Sequence, residues 1–433
     1  MRARVFISII SLVIVMLYVY FGYYVDRNNF YIDYFFVLFA LSYALYSYNK
    51  HINEKIFWIL NIGFRLIMLF SIPLLSDDFY RFIWDGILSS NGISPFAHLP
   101  SDALDLNIRG LDQNLFQLLN SPEYYTVYPP FCQWIFALAA DWSGENIHLA
   151  VFLMKLPIVV ADHLSIFFLQ KLLDYYKKPK KWVWLYAFNP LVIIEFSGNA
   201  HLEAYLICFL LAALWFFMSK RYVHAGAFFA LSVGAKLIPL MLLPLFVSKL
   251  RGKSFWIFGL SSLIVLALLF MPFIIHPDYA LNLFQSVQLY FQTFEFNASI
   301  FYLFREIGYL ITGYNTIAII GKISLLLTLL LLLFFTWKNF RSKGLSLAFQ
   351  ILLTFTLYQL LASIVHPWYI LSLLPFAILL NYRFVELWTF LIPLSYLGYS
   401  SAGYKENVWV VLTEYVLVIS LLIWELKMKP LKQ

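Results

Sequence analysis

The sequence predicts an all-α membrane protein, in which a bundle of transmembrane helices carries one long polar loop. Hydrophobic residues make up 62% of the 433-residue chain and charged residues only 12%, against about 45–50% and about 25% in soluble domains. Apolar runs long enough to cross a bilayer recur along the whole chain, and the many Tyr and Trp residues favour membrane–water interfaces. With two cysteines, a disulfide scaffold is excluded, as are a disordered chain and a water-soluble body.

The apolar runs predict about 13 transmembrane helices, because a span needs about 20 residues and several runs are short, paired or broken. We expect a single integral membrane domain over residues 1–433, made of three spans in 1–75, a polar loop in 76–127 and the remaining bundle in 128–433. The runs lie near 5–25, 30–48, 56–75, 128–142, 148–173, 182–197, 201–218, 222–248, 254–275, 317–337, 345–364, 368–380, 384–400 and 407–426.

The basic residues orient these spans. The net charge is +7, which in a soluble protein would suggest nucleic acid, but here Lys and Arg form short clusters between apolar runs. Such clusters are typical of cytoplasmic loops, so we expect no nucleic-acid partner. This orientation leaves the polar segments 76–127, 276–299 and 365–368 on the non-cytoplasmic side.

Two places do not fit a simple series of spans. Between 128 and 177 two apolar runs would return a basic cluster to the wrong side, so one run is re-entrant or Pro157 breaks a helix. Around Lys236, the Gly234-Ala235-Lys236 segment interrupts an apolar run. Non-helical backbone at membrane depth needs a protein or water environment, which predicts a polar cavity there; the alternative is a lysine that reaches the interface from a kinked helix.

The loop 76–127 is the largest departure from the apolar pattern. It opens with the charged segment Ser76–Gly86, which contains three aspartates and one arginine. Asp77 and Asp78 would lie at a helix N-terminus, where negative charge is favourable. Arg81 and Asp85 are four residues apart and can pair on one face of that helix. A capped interfacial helix accounts for one aspartate. Two adjacent carboxylates repel each other, so the second aspartate favours a functional role for the pair.

A chemical interpretation of this loop needs a carboxylate at the membrane surface, close to a lipid-borne substrate. A general base must reach an acceptor hydroxyl, and a phosphate leaving group needs nearby cations. Arg81, Lys236 and His366 are the candidate cations. His201 and Glu203, at the start of a span on the same side, could bind sugar hydroxyls.

Two proline-containing turns complete the pattern. Tyr128-Pro129-Pro130 is expected to start the next membrane span, since neither proline suits a helix interior. His366-Pro367-Trp368-Tyr369 interrupts two late apolar runs, either as an interfacial aromatic turn or as part of a site.

These elements, in this order, resemble the bacterial polyprenol-phosphate-mannose-dependent mannosyltransferases of the GT-C class of membrane glycosyltransferases. That family has a first-loop pattern of roughly D-x-x-R-Y-x-W-D-G, then G-x-N/S-P-Y/F, Y-P-P and a late H-P-W-Y turn. The corresponding residues here are Asp78, Arg81, Trp84, Asp85 and Gly86, then Gly92, Ser94, Pro95 and Phe96, then Tyr128, Pro129 and Pro130, and finally His366, Pro367, Trp368 and Tyr369. Phe82 replaces the usual Tyr.

The resemblance implies an inverting transfer of a hexose, with mannose favoured, from polyprenyl phosphate to a hydroxyl of a glycolipid or glycan. The enzyme would lie in the bacterial inner membrane, with its active site facing the periplasm or cell exterior. By motif position Asp78 would be the base, with Asp77 as the alternative. The donor phosphate would meet Arg81, Lys236 and His366. Further substrate contacts would come from Trp84, Asp85, Tyr128, His201, Glu203, Trp368 and Tyr369.

The cofactor and two rival functions complete the expectations from the sequence. No cofactor is required by the resemblance, although two adjacent aspartates could hold a divalent cation. A transporter or flippase of a lipid-linked saccharide is a rival, but it would place its ionisable residues at the bilayer midplane rather than in an early loop. An oligosaccharide ligase is a second rival. Such enzymes usually concentrate their functional residues in a large late loop, and the late polar segment here, 276–299, is short.

Overall fold

The computed structural model of the chain describes residues 2–342 and 345–429, and it confirms the all-α class. Within this part of the chain the extended segments are Tyr399–Ser400 (β1) and Gly403–Tyr404 (β2), which pair antiparallel with Tyr399 opposite Tyr404, and one isolated bridge between Phe296 and Ile364. All other regular structure is helical.

One helix lies in each of the first three apolar runs, although only the first is long enough to count as a membrane span, and the long loop carries three short helices. The segment up to the end of the loop contains α1 (Arg2–Tyr23), α2 (Ile32–Ser47), α3 (Glu54–Leu69), α4 (Asp78–Ser90), α5 (Pro100–Leu104) and α6 (Gln113–Gln117), with 3₁₀ turns at Arg27–Asn29 and Asn49–His51.

The central part of the chain packs against these helices. Its elements are α7 (Pro130–Ser143), α8 (Ile147–Tyr175), α9 (Trp184–Ala187), α10 (Pro190–Val192), a π-helical turn at Ile193–Gly198, α11 (Glu203–Met218), α12 (Tyr222–Ala235), α13 (Leu243–Ser248) and α14 (Lys253–Leu269), with 3₁₀ turns at Lys180–Val183 and Ile238–Leu242.

The remaining elements form the C-terminal part of the bundle. They are α15 (Met271–Ile275), α16 (Pro277–Thr293), α17 (Ile300–Thr312), α18 (Ile317–Ser342), α19 (Leu347–Leu361), α20 (Leu374–Leu380), α21 (Phe384–Leu391) and α22 (Val408–Met428), with 3₁₀ turns at Tyr369–Ser372 and Ile392–Gly398.

The prediction of about 13 spans is not confirmed. Four helices in the described residues are long and apolar enough to cross a membrane: Ala3–Tyr23, Ile147–Tyr175, Ile317–Phe334 and Val408–Met428. A fifth span results if Pro190–Gly198 and Glu203–Met218, bent by 115° at their junction, are counted together. Of the other apolar runs, some form single helices of 17 residues or fewer, such as α2 and α19, and some are divided by prolines and turns. The protein is nevertheless a membrane protein by the length and composition of these helices.

The two irregular places predicted from the sequence have different outcomes. Pro157 does not break its helix, since α8 continues through it from Ile147 to Tyr175. At the second place α12 ends at Ala235, and Lys236 adopts an extended conformation with φ −157° and ψ 136° before a 3₁₀ turn begins at Ile238. The predicted interruption at Lys236 is therefore confirmed.

A close helix contact fixes the loop helix α4 against the bundle. Gly86 of α4 faces the backbone of α7 so closely that an added Cβ would lie 2.4 Å from the carbonyl oxygen of Phe136. Beside it, the rings of Phe82 and Phe136 stack with centroids 4.6 Å apart. Glycine at position 86 is required by this approach, and α4 is held rigidly to α7 as a result.

Candidate active site

The start of α4 places two aspartates side by side and gives them different partners. Asp77 is the N-cap residue of α4 and Asp78 its first residue, as predicted. The carboxylate of Asp77 forms an ion pair with Arg27. The carboxylate of Asp78 accepts a hydrogen bond of 2.6 Å from the side-chain amide of Asn120. The two adjacent carboxylates thus have different partners, a cation for Asp77 and a neutral amide for Asp78.

The next turn of α4 carries a buried ion pair. Arg81 Nε donates to Asp85 Oδ1 at 2.8 Å, which confirms the predicted pairing four residues apart. The Arg81 guanidinium also donates to the carbonyl oxygens of Ser121 and Tyr124, both at 2.9 Å. The second oxygen of Asp85 accepts from Gln133 at 3.1 Å. This pair therefore ties α4 to the end of the loop and to α7.

Trp84 and Tyr128 are the two aromatic residues that the sequence assigned to this part of the site. Trp84 is fully buried and packs against Phe116, with ring centroids 5.9 Å apart. Tyr128 packs edge-on against Phe82 at 4.8 Å. Burial raises the pKa of the Tyr128 hydroxyl well above its usual range, and the negative charge of Asp78 adds to the effect. Tyr128 is therefore neutral and lies within electrostatic reach of Asp78.

Lys236 belongs to a second group of polar residues, in the part of the chain after α7. Its ammonium group forms an ion pair with Glu203, the first residue of α11. The same ammonium lies 4.0 Å from the centre of the Tyr369 ring, in a cation–π contact. The extended backbone at Lys236 lets this side chain leave the helix and reach both partners.

Two histidines stack against one tryptophan beside Lys236. The ring of Trp368 is nearly parallel to His201, with centroids 3.6 Å apart, and to His366, with centroids 4.4 Å apart. His201 Nε2 lies 3.2 Å from a carboxylate oxygen of Glu195. The Glu195 carboxylate also accepts from the hydroxyl of Tyr396 at 2.8 Å. These contacts hold His201 and the His366 turn in one fixed aromatic stack.

Tyr290 of α16 joins this group, and the sequence did not single it out. Its hydroxyl lies 3.2 Å from His366 Nε2 and 3.3 Å from the hydroxyl of Tyr369. Burial raises the pKa of Tyr290, and the carboxylate of Asp78 contributes. Its only signal in the sequence is a place within the polar segment 276–299, because nothing local marks a residue whose partners lie 76 and 79 positions away.

His366 is held neutral in this environment. Burial lowers its pKa well below the usual range, and the electrostatic influence of His201 and Lys236 adds to the effect. The turn that carries it is anchored by a short parallel pairing, in which Val365 N–H donates to the carbonyl oxygen of Phe296 at 2.8 Å. A neutral imidazole at this place can donate or accept one hydrogen bond beside an ammonium group.

The structure thus arranges the predicted residues in two neighbouring groups. The loop group contains Asp77, Asp78, Arg81, Trp84, Asp85 and Tyr128, and the bundle group contains His201, Glu203, Lys236, His366, Trp368 and Tyr369. Asp78 influences the pKa of Tyr290, so the two groups are within electrostatic reach at that point. In the described residues no three or more His, Cys, Asp and Glu side chains are arranged to hold a metal ion.

Fold and site together define a class: a helical membrane protein whose ionisable residues converge beside the long polar loop. Residues 35–251, half of the chain, match the family described as alpha-(1->6)-mannopyranosyltransferase, N-terminal domain. The chain belongs to this family. The match contains the loop, α7 and Lys236, whereas Tyr290 and the His366 turn lie beyond it.

One curated relative matches with significance, the alpha-(1->6)-mannopyranosyltransferase A of Corynebacterium glutamicum. It is 22% identical over 186 residues, which cover 42% of this chain and 36% of the relative. The matched stretch thus spans about a third of the relative's length. No solved structure matches the chain significantly.

Proposed function

We propose that this protein is an inverting mannosyltransferase that moves a mannosyl group from polyprenyl phosphate to a hydroxyl of a glycolipid or glycan, on the non-cytoplasmic face of the membrane. Its family membership supports the reaction class, and the name of the corynebacterial relative favours mannose. The observation that carries the proposal is Tyr290, which contacts His366 Nε2 at 3.2 Å and is within electrostatic reach of Asp78, so that it links the loop carboxylate to the group that contains Lys236 and His366.

Asp78 is assigned the general base. Its carboxylate is partly exposed at the start of α4, and its one side-chain hydrogen bond in the described structure comes from the neutral amide of Asn120. The second carboxylate oxygen is therefore available to an acceptor hydroxyl. The alternative base, Asp77, is engaged by Arg27. An ion-paired carboxylate is a weaker base, which favours Asp78.

The bond changes follow from this assignment. The acceptor oxygen attacks the anomeric carbon as its proton passes to Asp78, and the bond between that carbon and the phosphate oxygen breaks. The electron pair of that bond leaves with polyprenyl phosphate. Attack from the face opposite the phosphate inverts the anomeric centre.

Lys236 and His366 are assigned to the departing phosphate. Lys236 is paired with Glu203, but its side chain is 26% exposed, so its ammonium group can also contact a phosphate. Stabilising the charge that develops on a leaving group is usually a large contribution to catalysis. Neutral His366, together with Tyr290, can donate hydrogen bonds there. The guanidinium of Arg81 is occupied by Asp85 and two carbonyl groups, so we assign Arg81 to positioning α4.

The proposal is tested by comparing donors with the purified protein in lipid nanodiscs. We expect transfer of one hexose, seen as a single mass increment on an added glycolipid acceptor, from polyprenyl-phosphate mannose and none from a nucleotide-linked mannose. Transfer from the nucleotide sugar would contradict the proposed donor. A block of several sugars would indicate a ligase, and movement of lipid-linked sugar across vesicles without any covalent product would indicate a flippase.

A further inference from the structure

Arg27 lies outside every motif discussed above, yet the fold brings it to the start of α4. It is the first residue of the 3₁₀ turn Arg27–Asn29, which Asp26 caps by accepting from the N–H groups of Asn28 and Asn29 at 2.8 and 3.0 Å. The backbone N–H of Arg27 donates to the carbonyl oxygen of Leu74 at 3.2 Å. The turn between the first two helices is therefore fastened to the segment that enters α4.

The guanidinium of Arg27 contacts one residue of the polar loop and one residue of the β1–β2 hairpin. It pairs with Asp77, and the two side chains are 32% and 35% exposed. It also lies 5.2 Å from the centre of the Tyr399 ring. Tyr399 belongs to the β1–β2 hairpin near the C-terminus. Arg27 thus connects the N-terminal turn, the polar loop and this hairpin at one point beside Asp78.

We propose that Arg27 is a positioning residue that acts on Asp78 through Asp77, by neutralising the first carboxylate so that the second can be ionised beside it. This inference rests on the proposed function, because it takes Asp78 as the base. Two adjacent carboxylates cannot ionise independently at close range unless a cation compensates one of them. Arg27 supplies that cation from 50 residues earlier in the chain.

The other ionisable groups near the two aspartates do not supply this compensation. Burial raises the pKa of each neighbouring tyrosine, to about 12 for Tyr399, and the charge of Asp77 or Asp78 adds to the effect, so all of them are neutral. Arg81 is balanced by Asp85. The groups that face the aspartates are, besides Arg27, the tyrosines Tyr80, Tyr128, Tyr290 and Tyr399 and the pair Arg81 and Asp85.

The proposal predicts opposite displacements in two single variants. In Arg27→Gln the charge of Asp77 is uncompensated and favours the protonated form of Asp78, so the acid limb of the pH–rate profile moves to higher pH. In Asp77→Asn the charge of Arg27 is uncompensated, and the acid limb moves to lower pH. We expect displacements of about half to one pH unit at low ionic strength, which salt reduces because both groups are partly exposed.

The double variant and a conservative variant separate this role from a merely structural one. Arg27→Gln/Asp77→Asn removes both charges and returns the acid limb close to its wild-type position, and Arg27→Lys keeps it there. Arg109→Gln is the matched control, since Arg109 of the polar loop forms an exposed ion pair with Glu145. The pH–rate profile of this variant stays unchanged. Equal loss of activity at all pH values, without displacement of the limb, would overturn the proposal.

The base assignment is tested separately with Asp78→Asn. If Asp78→Asn is inactive and Arg27→Gln leaves the acid limb in place, the inference about Arg27 fails while the proposed function stands. If Asp78→Asn keeps wild-type turnover, the assigned base is wrong and the inference about Arg27 fails with it.

Discussion

Two of the ion pairs that join distant parts of this chain differ in what surrounds them. Arg65 and Asp162 meet at 2.6 Å between α3 and α8, and both side chains are fully buried. Lys236 and Glu203 meet at the edge of the bundle group, where Lys236 is 26% exposed. The first pair is enclosed by helices, whereas the second is open to Tyr369 and the His366 turn.

This difference in surroundings indicates different roles: the enclosed pair stabilises the fold, and the open pair is the one that a substrate could reach. The Arg65 guanidinium also donates to the carbonyl oxygen of Ala187 at 2.9 Å, so its hydrogen bonds fasten helices to one another. Nearby, the side-chain amino group of Lys155 donates to the carbonyl oxygens of Met68 and Ser71 at 2.6 and 2.7 Å, at the end of α3. Both residues hold the helix that leads into the polar loop.

The largest expected effect comes from breaking the enclosed pair. Asp162→Asn leaves the Arg65 charge buried without a counterion, and we expect a loss of about 3–5 kcal/mol in the free energy of unfolding. Denaturation of the purified protein in detergent measures it. Asp174→Asn, on the same helix but in an exposed pair with Lys180, is the control and should change stability little. Equal stability of the two variants would show that the enclosed pair is not structural.

A smaller effect, on turnover rather than on stability, is expected at the open pair. Lys236→Met removes the cation assigned to the leaving phosphate, and we expect turnover to fall by about 100-fold, or about 2.7 kcal/mol in the barrier. Lys253→Met, at the exposed start of α14, is the control. Turnover and thermal unfolding are measured on the same preparations. A loss of stability that accounts for the whole loss of turnover would make the two pairs equivalent.

Local pattern predicted the elements around the site well. The helix start at Asp77 and Asp78, the pairing of Arg81 with Asp85 and the interruption at Lys236 are confirmed. A helix begins at Pro130 as expected, but it is too short to count as a membrane span. Each of these features depends on neighbours within a few residues, so helical spacing and backbone chemistry are sufficient to predict it. Asp77 makes no side-chain capping hydrogen bond.

Two kinds of feature were beyond such patterns. The span count is not confirmed because apolar runs such as 182–197 contain Pro190 and a π-helical turn, which hydropathy does not distinguish from a straight helix. The partners Arg27 and Tyr290 are joined to the site across 50 and 76 residues. Contacts at such separation depend on tertiary packing, which local periodicity does not encode. The chemical roles of the site residues stay predictions.

The most direct test of the central claim is the turnover of Asp78→Asn with polyprenyl-phosphate mannose and a glycolipid acceptor. The amide keeps the shape of the carboxylate and can still contact Asn120, so the variant should fold. A general base contributes about 10²–10⁴-fold; we predict a loss in this range, with Asp102→Asn, an exposed aspartate of the same loop, at the wild-type rate. Wild-type turnover by a folded Asp78→Asn protein would contradict the account.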